Sequence, residues 1–160
     1  MHAKDRMDAR HARRMYIKLA IMVGASLLWM YAAMFAMVVS LDDVRQNLNF
    51  VYMAVLMAGA MIPLELVIMR AMYPIARFNV IAIALTVILV AGSFLAIRNQ
   101  SAIGDDQFLR SMIPHHAGAI LMCQQASLTD AEIKALCSGI IESQQREIDQ
   151  MTSILERRGR

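Results

Sequence analysis

Soft electron donors are concentrated in one short stretch of the chain, MIPHHAGAILMC. Within it His115 and His116 are adjacent, Met112 and Met122 lie on either side, and Cys123 ends the stretch. Thioether, thiolate and imidazole groups together favour Cu(I), and Ag(I) by extension, whereas carboxylate-rich sites favour harder ions. The residue types therefore predict a site for a soft monovalent metal ion.

The spacing of these donors fits one side of a helix. At roughly 100° per residue, Met112, His115, His116, Met122 and Cys123 fall within one arc. Met112 lies three or four residues from the two histidines, so one helix could chelate one ion. His115 and Met122 are two turns apart, roughly 10 Å at 1.5 Å per residue, so they cannot share an ion. The pattern predicts either two ions or a second site that contains Met122.

A second helix is predicted to complete the donor set. Thr129 and Glu132 have capping-box spacing at its start, and apolar residues then recur at helical spacing until near Arg157. Glu147 and Met151 lie within one arc of this helix. They are the metal ligands that we predict there, together with Cys137.

The two helices are predicted to form an antiparallel hairpin that turns near Leu128. Asp105 or Asp106 is placed to cap the first helix, and Pro114 should kink that helix or begin a second segment. A hairpin of about fifty residues buries little surface by itself. We therefore expect a homodimer or higher oligomer, in which two hairpins complete a four-helix bundle.

The cysteines leave three alternatives open, since a disulfide, a pair of copper ligands and two buried thiols all fit the sequence. A turn near Leu128 brings Cys137 level with Ala119, about one turn from Cys123. That offset strains the usual Cα separation limit of roughly 7 Å for a disulfide.

A structural interpretation competes with metal binding. Methionine on an inward helix face is usually core filler, and adjacent histidines can form a hydrogen-bonded polar patch. In that case the chain is a membrane-anchored interaction or sensor module, and its His and Met residues are structural.

Three apolar runs precede the donor region, at residues 16–39, 50–69 and 78–97. Each has the roughly 20 apolar residues that a membrane helix needs, and none shows the polar stripe of a soluble core helix. Lys18 and Glu65 are the only charged residues in them. A cleaved signal peptide is a poor alternative for the first run, which is too long for it. The sequence predicts an all-α integral membrane protein.

Basic residues predict the orientation. Six precede or begin the first run: Lys4, Arg6, Arg10, Arg13, Arg14 and Lys18. Arg70 and Arg77 lie in the second loop, which has no acid. Positive charge marks the cytoplasmic side, so the basic tail at residues 1–15 is predicted inside, and the chain is assigned to the inner (plasma) membrane. Its net charge of +3 indicates anionic lipid headgroups as partners rather than nucleic acid.

The C-terminal third is predicted to be a water-facing domain in the periplasm or outside the cell. Residues 98–104 form the predicted hinge, and residues 105–160 the metal-binding hairpin. Both cysteines lie there, where oxidation is possible.

Two features of the apolar runs, a methionine stripe and a single acidic residue, have structural rather than functional interpretations. Met53, Met57 and Met61 recur every four residues on the second run, which favours flexible packing between helices over a path for copper. Glu65 lies near the predicted cytoplasmic end, where snorkelling or pairing with Arg70 would accommodate its charge.

The quoted stretches DDQFLRSMIPHHAGAILM and SQQREIDQM together resemble the family catalogued as domain of unknown function 305. Its pattern joins an Asp-x-x-Phe start, a Met-x-x-His-His core, a downstream Met and a closing Gln-x-x-Glu-Ile-x-x-Met. The matching residues are Asp105, Phe108, Met112, His115, His116, Met122, Gln144, Glu147, Ile148 and Met151. The resemblance covers residues 104–155 and leaves out the apolar runs.

This resemblance implies a ferritin-like, exported helical domain that binds copper or silver and contributes to metal tolerance. The ligands that it implies are Met112, His115, His116, Met122 and Met151. Catalysis is not expected, because the chain has no Glu-x-x-His pair for a di-iron centre. It also lacks the zinc-protease, P-loop and dinucleotide motifs.

Overall fold

The structure is a computed structural model that describes residues 2–159, with side chains from residue 10 onward. All regular structure in this part of the chain is helical. The α-helices are α1 (His2–Ala33), α2 (Leu48–Gly59), α3 (Met61–Ile68), α4 (Ala76–Arg98), α5 (Asp105–Gln125) and α6 (Ala131–Arg158). Short 3-10 turns lie at Met34–Met37, Leu41–Asp43 and Arg70–Met72.

Three helical stretches are long and apolar enough to cross a membrane, namely Arg10–Met37, Leu48–Ile68 and Ala76–Arg98. They confirm the three apolar runs as helices.

The chain divides into two compact units. One contains the residues up to Ala32 together with Val51–Ser101. The other contains Ala33–Phe50 together with the residues from Ala102 onward. The end of the first apolar run and the loop after it therefore belong with the C-terminal helices, and residues 98–104 contain the boundary.

The first unit has its core where α1, α3 and the start of α4 meet. Met15, Leu19, Leu66 and Tyr73 form the buried cluster. The Tyr16 hydroxyl strengthens this junction, because it donates to Asn79 Oδ1 at 2.8 Å and accepts from the Ile75 amide at 3.1 Å.

In the structure the hydrogen-bond partner of Glu65 is Tyr73, whereas the sequence suggested Arg70. The Tyr73 hydroxyl donates to Glu65 Oε1 at 3.1 Å. Burial raises the pKa of Tyr73, and the hydrogen bond to Glu65 raises it further. The phenol therefore stays protonated and available as a donor.

The second spanning stretch is interrupted between α2 and α3. Pro63 has no amide hydrogen, so the Gly59 carbonyl loses its usual helical donor. Ala60 keeps helical dihedrals, with φ −61° and ψ −22°, so the interruption is local.

Gly59 allows a close approach between α2 and α4. A Cβ at this position would lie 2.6 Å from Val90 Cγ2 and 3.6 Å from Thr86 Cγ2. A valine in a helix has one strongly preferred rotamer, so it cannot turn away without cost.

We predict that Gly59→Ala lowers the free energy of unfolding of the first unit by about 1–3 kcal/mol, as overpacking does. Gly92→Ala in α4 is the matched control, because nothing lies within 4 Å of its added Cβ. That change should raise stability by up to about 1 kcal/mol through helix propensity. Thermal unfolding in detergent measures the change in stability of each variant. A stabilising effect of Gly59→Ala would contradict the close approach of α2 and α4 at this glycine.

In the second unit α5 and α6 run in opposite directions against each other. Their buried cluster contains Leu109, Ile113, Ala117, Ile120, Ile148 and Met151. At one end of the pair, Arg158 binds Asp105 at 3.1 Å and Asp106 at 2.6 Å. At the other end, Cys123 and Cys137 are joined.

Two predicted helix starts need correction. Gly104 is the N-cap of α5 without a side-chain cap, and Asp105 and Asp106 lie inside the first turn. There the two carboxylates interact favourably with the positive end of the helix dipole and form ion pairs with Arg158. Asp130 rather than Thr129 caps α6, because its Oδ1 accepts from the amides of Glu132 and Ile133.

Pro114 lies inside a single helix, so the predicted second segment is absent from α5. The residue is buried, and its neighbours Ile113 and Ala117 belong to the core cluster. Burial along this stretch offsets the loss of one backbone hydrogen bond, which proline cannot donate.

Ala33–Phe50 packs on α5 on the side of Gln107 and Ser111, away from α6. The Leu48 amide donates to Gln107 Oε1 at 2.9 Å, and Asn49 Nδ2 donates to Ser111 Oγ at 3.3 Å. Val38 packs against the core cluster. This segment is therefore part of the structural support of α5.

Candidate metal centre

His116 is the most enclosed of the predicted ligands. Only 6% of its surface is exposed to solvent. Nδ1 lies 2.9 Å from the Met112 carbonyl oxygen, and Nε2 lies 2.7 Å from Glu147 Oε2 on α6. A carbonyl and a carboxylate are both acceptors, so each ring nitrogen faces an acceptor.

This geometry orients the imidazole for a ligand. A histidine that binds a metal through one nitrogen commonly donates from the other to a backbone carbonyl, which fixes the ring. Here the Met112 carbonyl holds Nδ1 and directs Nε2 towards α6. The Glu147 side chain is 51% exposed, so it can turn towards solvent when another group takes Nε2.

The structure divides the predicted arc of donors on α5 into two sets. His116 and Cys123 lie on the α6 side, where Leu109, Ile113 and Ile120 form the core. His115 and Met122 are exposed, and Met122 keeps 55% of its surface accessible. Met112 lies at the boundary, since it is partly buried against the core.

On α6 the predicted ligands are also separated. Met151 is 9% exposed and belongs to the core cluster. Glu147 reaches His116, whereas Cys137 is near the far end of the pair. One copy of the chain thus gathers His116, Glu147 and the neighbouring Met112 and Met151, but does not unite all eight predicted ligands.

Cys123 and Cys137 form a disulfide, with a Cα–Cα distance of 5.3 Å. Of the three alternatives that the sequence left open, the structure contains this one, so neither sulfur is available as a thiolate. The predicted register was wrong by one turn, because Cys137 lies opposite Cys123 rather than Ala119. The connection between the end of α5 at Gln125 and the start of α6 at Ala131 sets this offset, and local spacing does not determine its path.

The described residues contain no group of three or more His, Cys, Asp or Glu side chains that could hold a metal ion. Next to His116, the thioether groups of Met112 and Met151 border the same core cluster. Imidazole with thioether groups is a donor set that fits Cu(I) and Ag(I).

Sequence reasoning missed the polar contacts that fix α5 from the other side. Gln107 and Ser111 bind the backbone of Leu48 and the side chain of Asn49. These partners are about sixty residues away in the sequence, so no local pattern could have indicated them. For the α6 cap, Asp130 itself was the available signal.

We predict that Glu147→Gln lowers the free energy of unfolding by about 1 kcal/mol, because a charged partner of buried His116 is lost. The control is Glu142→Gln, which removes an exposed ion pair with Arg146 and should leave stability almost unchanged. Chemical denaturation of the full chain in detergent compares them. Equal effects of the two substitutions would contradict a structural role for the His116–Glu147 contact.

The fold and site define an all-helical protein with three helices apolar enough to span a membrane and a disulfide-linked helical pair at its C-terminus. Residues 95–158 match the family model described as Domain of unknown function (DUF305), and the chain belongs to this family. The resemblance seen in the sequence is therefore confirmed.

A relative from Acanthamoeba polyphaga mimivirus, named as an uncharacterized protein, is 41% identical to the chain over 121 residues. The match covers 74% of this chain and 78% of the relative. It is longer than the DUF305 segment, so the likeness extends into the residues before it. No solved structure matches the chain.

Proposed function

We propose that the chain is a membrane-anchored, extracytoplasmic protein that binds Cu(I) or Ag(I), for metal sequestration, tolerance or delivery. The metal ion is its cargo. We propose binding rather than catalysis, with lipid and the metal ion as partners and no nucleic acid.

The observation that carries this proposal is the placement of His116. Its imidazole is buried between α5 and α6, and its Nδ1 is tied to the Met112 carbonyl. Its Nε2 faces a carboxylate that can move, and Met112 and Met151 border the same core. A soft cation that displaces the proton on Nε2 would therefore find thioether groups nearby.

Three further features support an exported C-terminal domain with the N-terminus inside. Around the first two apolar runs, the basic residues are concentrated in the N-terminal tail and the second loop, whereas the first loop has Arg45 alone. Ala33–Phe50 packs on α5, as expected if the first loop and the C-terminal helices share one side of the membrane. The disulfide suits an oxidising compartment such as the periplasm or the cell exterior.

The antiparallel pair α5–α6 would be the hairpin of a ferritin-like bundle. A hairpin of this size has a small core, and a second copy would complete four helices.

Metal titration of the full chain in detergent tests the proposal. Ag(I) is a suitable probe, because it needs no reductant and so leaves the disulfide intact. We expect stoichiometric uptake by the wild type and a loss of at least tenfold in affinity in both Met112→Leu and His116→Ala. Met57→Leu, on the second spanning helix, is the matched control and should bind as the wild type does. Wild-type uptake that survives both site substitutions would refute this assignment.

A second candidate function is an interaction or sensor module with structural His and Met residues. The contacts of His116 favour it, because both ring nitrogens already have partners within the protein. Met151 likewise fills the core. The same titration separates the two candidates, since this one predicts no stoichiometric Ag(I) uptake by the wild type.

A further inference from the structure

One side of the α5–α6 pair is open and carries two regular stripes. On α5 the residues are spaced alternately by four and three, and all are exposed or half-buried: Phe108, Met112, His115, Ala119 and Met122. On α6 the spacing is alternately three and four, and the residues are again exposed or half-buried: Ile133, Leu136, Ile140, Ser143 and Glu147. Such spacing is that of a helix seam that packs on another helix.

The two stripes lie on the same side of the pair. The opposite side faces Ala33–Phe50, since a polar cavity of about 430 Å³ is lined by Asp42 and Arg45 together with Asp149 and Thr152 of α6. The same segment binds α5 through Gln107 and Ser111. On each helix the stripe lies to one side of the core residues, away from Ala33–Phe50. Because α5 and α6 are antiparallel, these two offsets point to the same side of the pair. Together they make one surface, which we call the open face.

The open face is unusually apolar for a water-facing surface. Phe108 is 49% exposed, Ile133 is 47% exposed and Leu136 is 63% exposed. Glu147 is the acid of the two stripes, and it contacts His116 of its own chain. In this structure the acidic side chain on each open face therefore has a partner within its own chain.

The size of the open face fits a small interface. Its stripe on α5 runs over 15 residues, from Phe108 to Met122, so the face is about 22 Å long, and two packed helices are roughly 20 Å wide. A face of about 450 Å² per copy would bury about 900 Å² in total, which is the size of a weak or transient interface.

The donors indicate a second copy as the occupant. Met112, His115 and Met122 lie on the open face, while His116 lies at its edge with Glu147. In one copy His115 and Met122 are exposed, Met112 is half-buried, and His116 faces α6. A two-fold pairing of open faces presents the same donors from both sides.

We propose that two copies pair through their open faces, and that Met and His donors from both copies form the Cu(I) or Ag(I) site. This inference rests on the proposed function and specifies its site. One copy does not bring all the predicted ligands together, and a partner copy would present a second set of the same donors.

The test changes the face without removing a donor. Leu136→Glu places a charge on the open face, whereas Ala135→Glu places the same charge on the next residue, which faces another direction and is exposed. Native mass spectrometry and Ag(I) titration are made on the full chain in detergent. We expect a dimer that binds Ag(I) for the wild type and Ala135→Glu. For Leu136→Glu we expect a monomer with at least tenfold weaker Ag(I) affinity, and with unchanged helical content by circular dichroism.

The outcomes separate the two proposals. A monomeric Leu136→Glu chain that binds Ag(I) as tightly as the wild type would overturn the shared site and leave the proposed function standing. A wild-type monomer that binds Ag(I) would do the same. A wild-type dimer without Ag(I) uptake would overturn the proposed function and the shared site together. If Leu136→Glu loses helical content, Ala119→Glu on α5 replaces it, with the same expected results.

Discussion

Replacing Cys123 and Cys137 together by serine is expected to lower the free energy of unfolding of the C-terminal unit by about 3 kcal/mol. The disulfide closes a loop with a sequence separation of 14, across the connection between α5 and α6. In the chain-entropy account, a loop of about 15 residues gives a stabilisation of this size. The effect should be large here, because a two-helix unit has little other core.

Chemical denaturation of the full chain in detergent measures this effect. The wild type with its disulfide reduced is the matched control and should lose a similar amount of stability. An unchanged midpoint in the serine variant would show that packing alone holds the ends of α5 and α6 together.

The same variant decides the role of the sulfurs in metal binding. In the oxidised protein the two cysteines supply no thiolate. We therefore expect the serine variant to bind the same number of Ag(I) ions as the oxidised wild type. If the serine variant bound fewer Ag(I) ions, Cys123 and Cys137 would have to be metal ligands.

Truncating Ile113 to alanine is expected to lower the free energy of unfolding by about 2–5 kcal/mol. Ile113 is 1% exposed, and it is the largest fully buried side chain among the described residues. It belongs to the cluster that joins α5 to α6, and Val38 packs against the same cluster. Removing it leaves a cavity whose walls are fixed on several sides, so collapse can recover little of the loss.

A graded pair of substitutions checks this interpretation. Ile113→Val should cost about 0.5–1.5 kcal/mol and Ile113→Ala clearly more, since the loss follows the volume removed. Denaturant midpoints of the full chain give both values. Similar small losses in the two variants would mean that the side chain is not enclosed as the structure places it.

The spanning helices and the helical class were predictable from the sequence, for a simple reason. In the hydrocarbon core of a membrane, backbone N–H and C=O groups can form hydrogen bonds only within the protein, and a helix satisfies them locally. Length and apolar composition therefore suffice to identify a candidate span. The pattern around Met112, His115 and His116 likewise identified the family, because it combines several residues at fixed spacing. Local spacing also indicated α6 to within one residue of its observed end at Arg158.

The register of α5 against α6 was not predictable, because it depends on the path of the connection and on the packing between the two helices. In the structure Cys137 meets Cys123 and Glu147 meets His116. Pro114 also stays within a helix, because burial outweighs its local preference. These outcomes depend on packing between separate elements.

The sequence by itself determined which residues could bind a soft metal ion and which segments could lie in a membrane, since both follow from residue type and short-range spacing. The tertiary structure decided which donors are enclosed. α6 covers one part of the donor arc on α5, and Ala33–Phe50 covers the opposite side of that helix. His115 and Met122 are left exposed between them, because a helix has a full circumference and two neighbours cannot cover all of it.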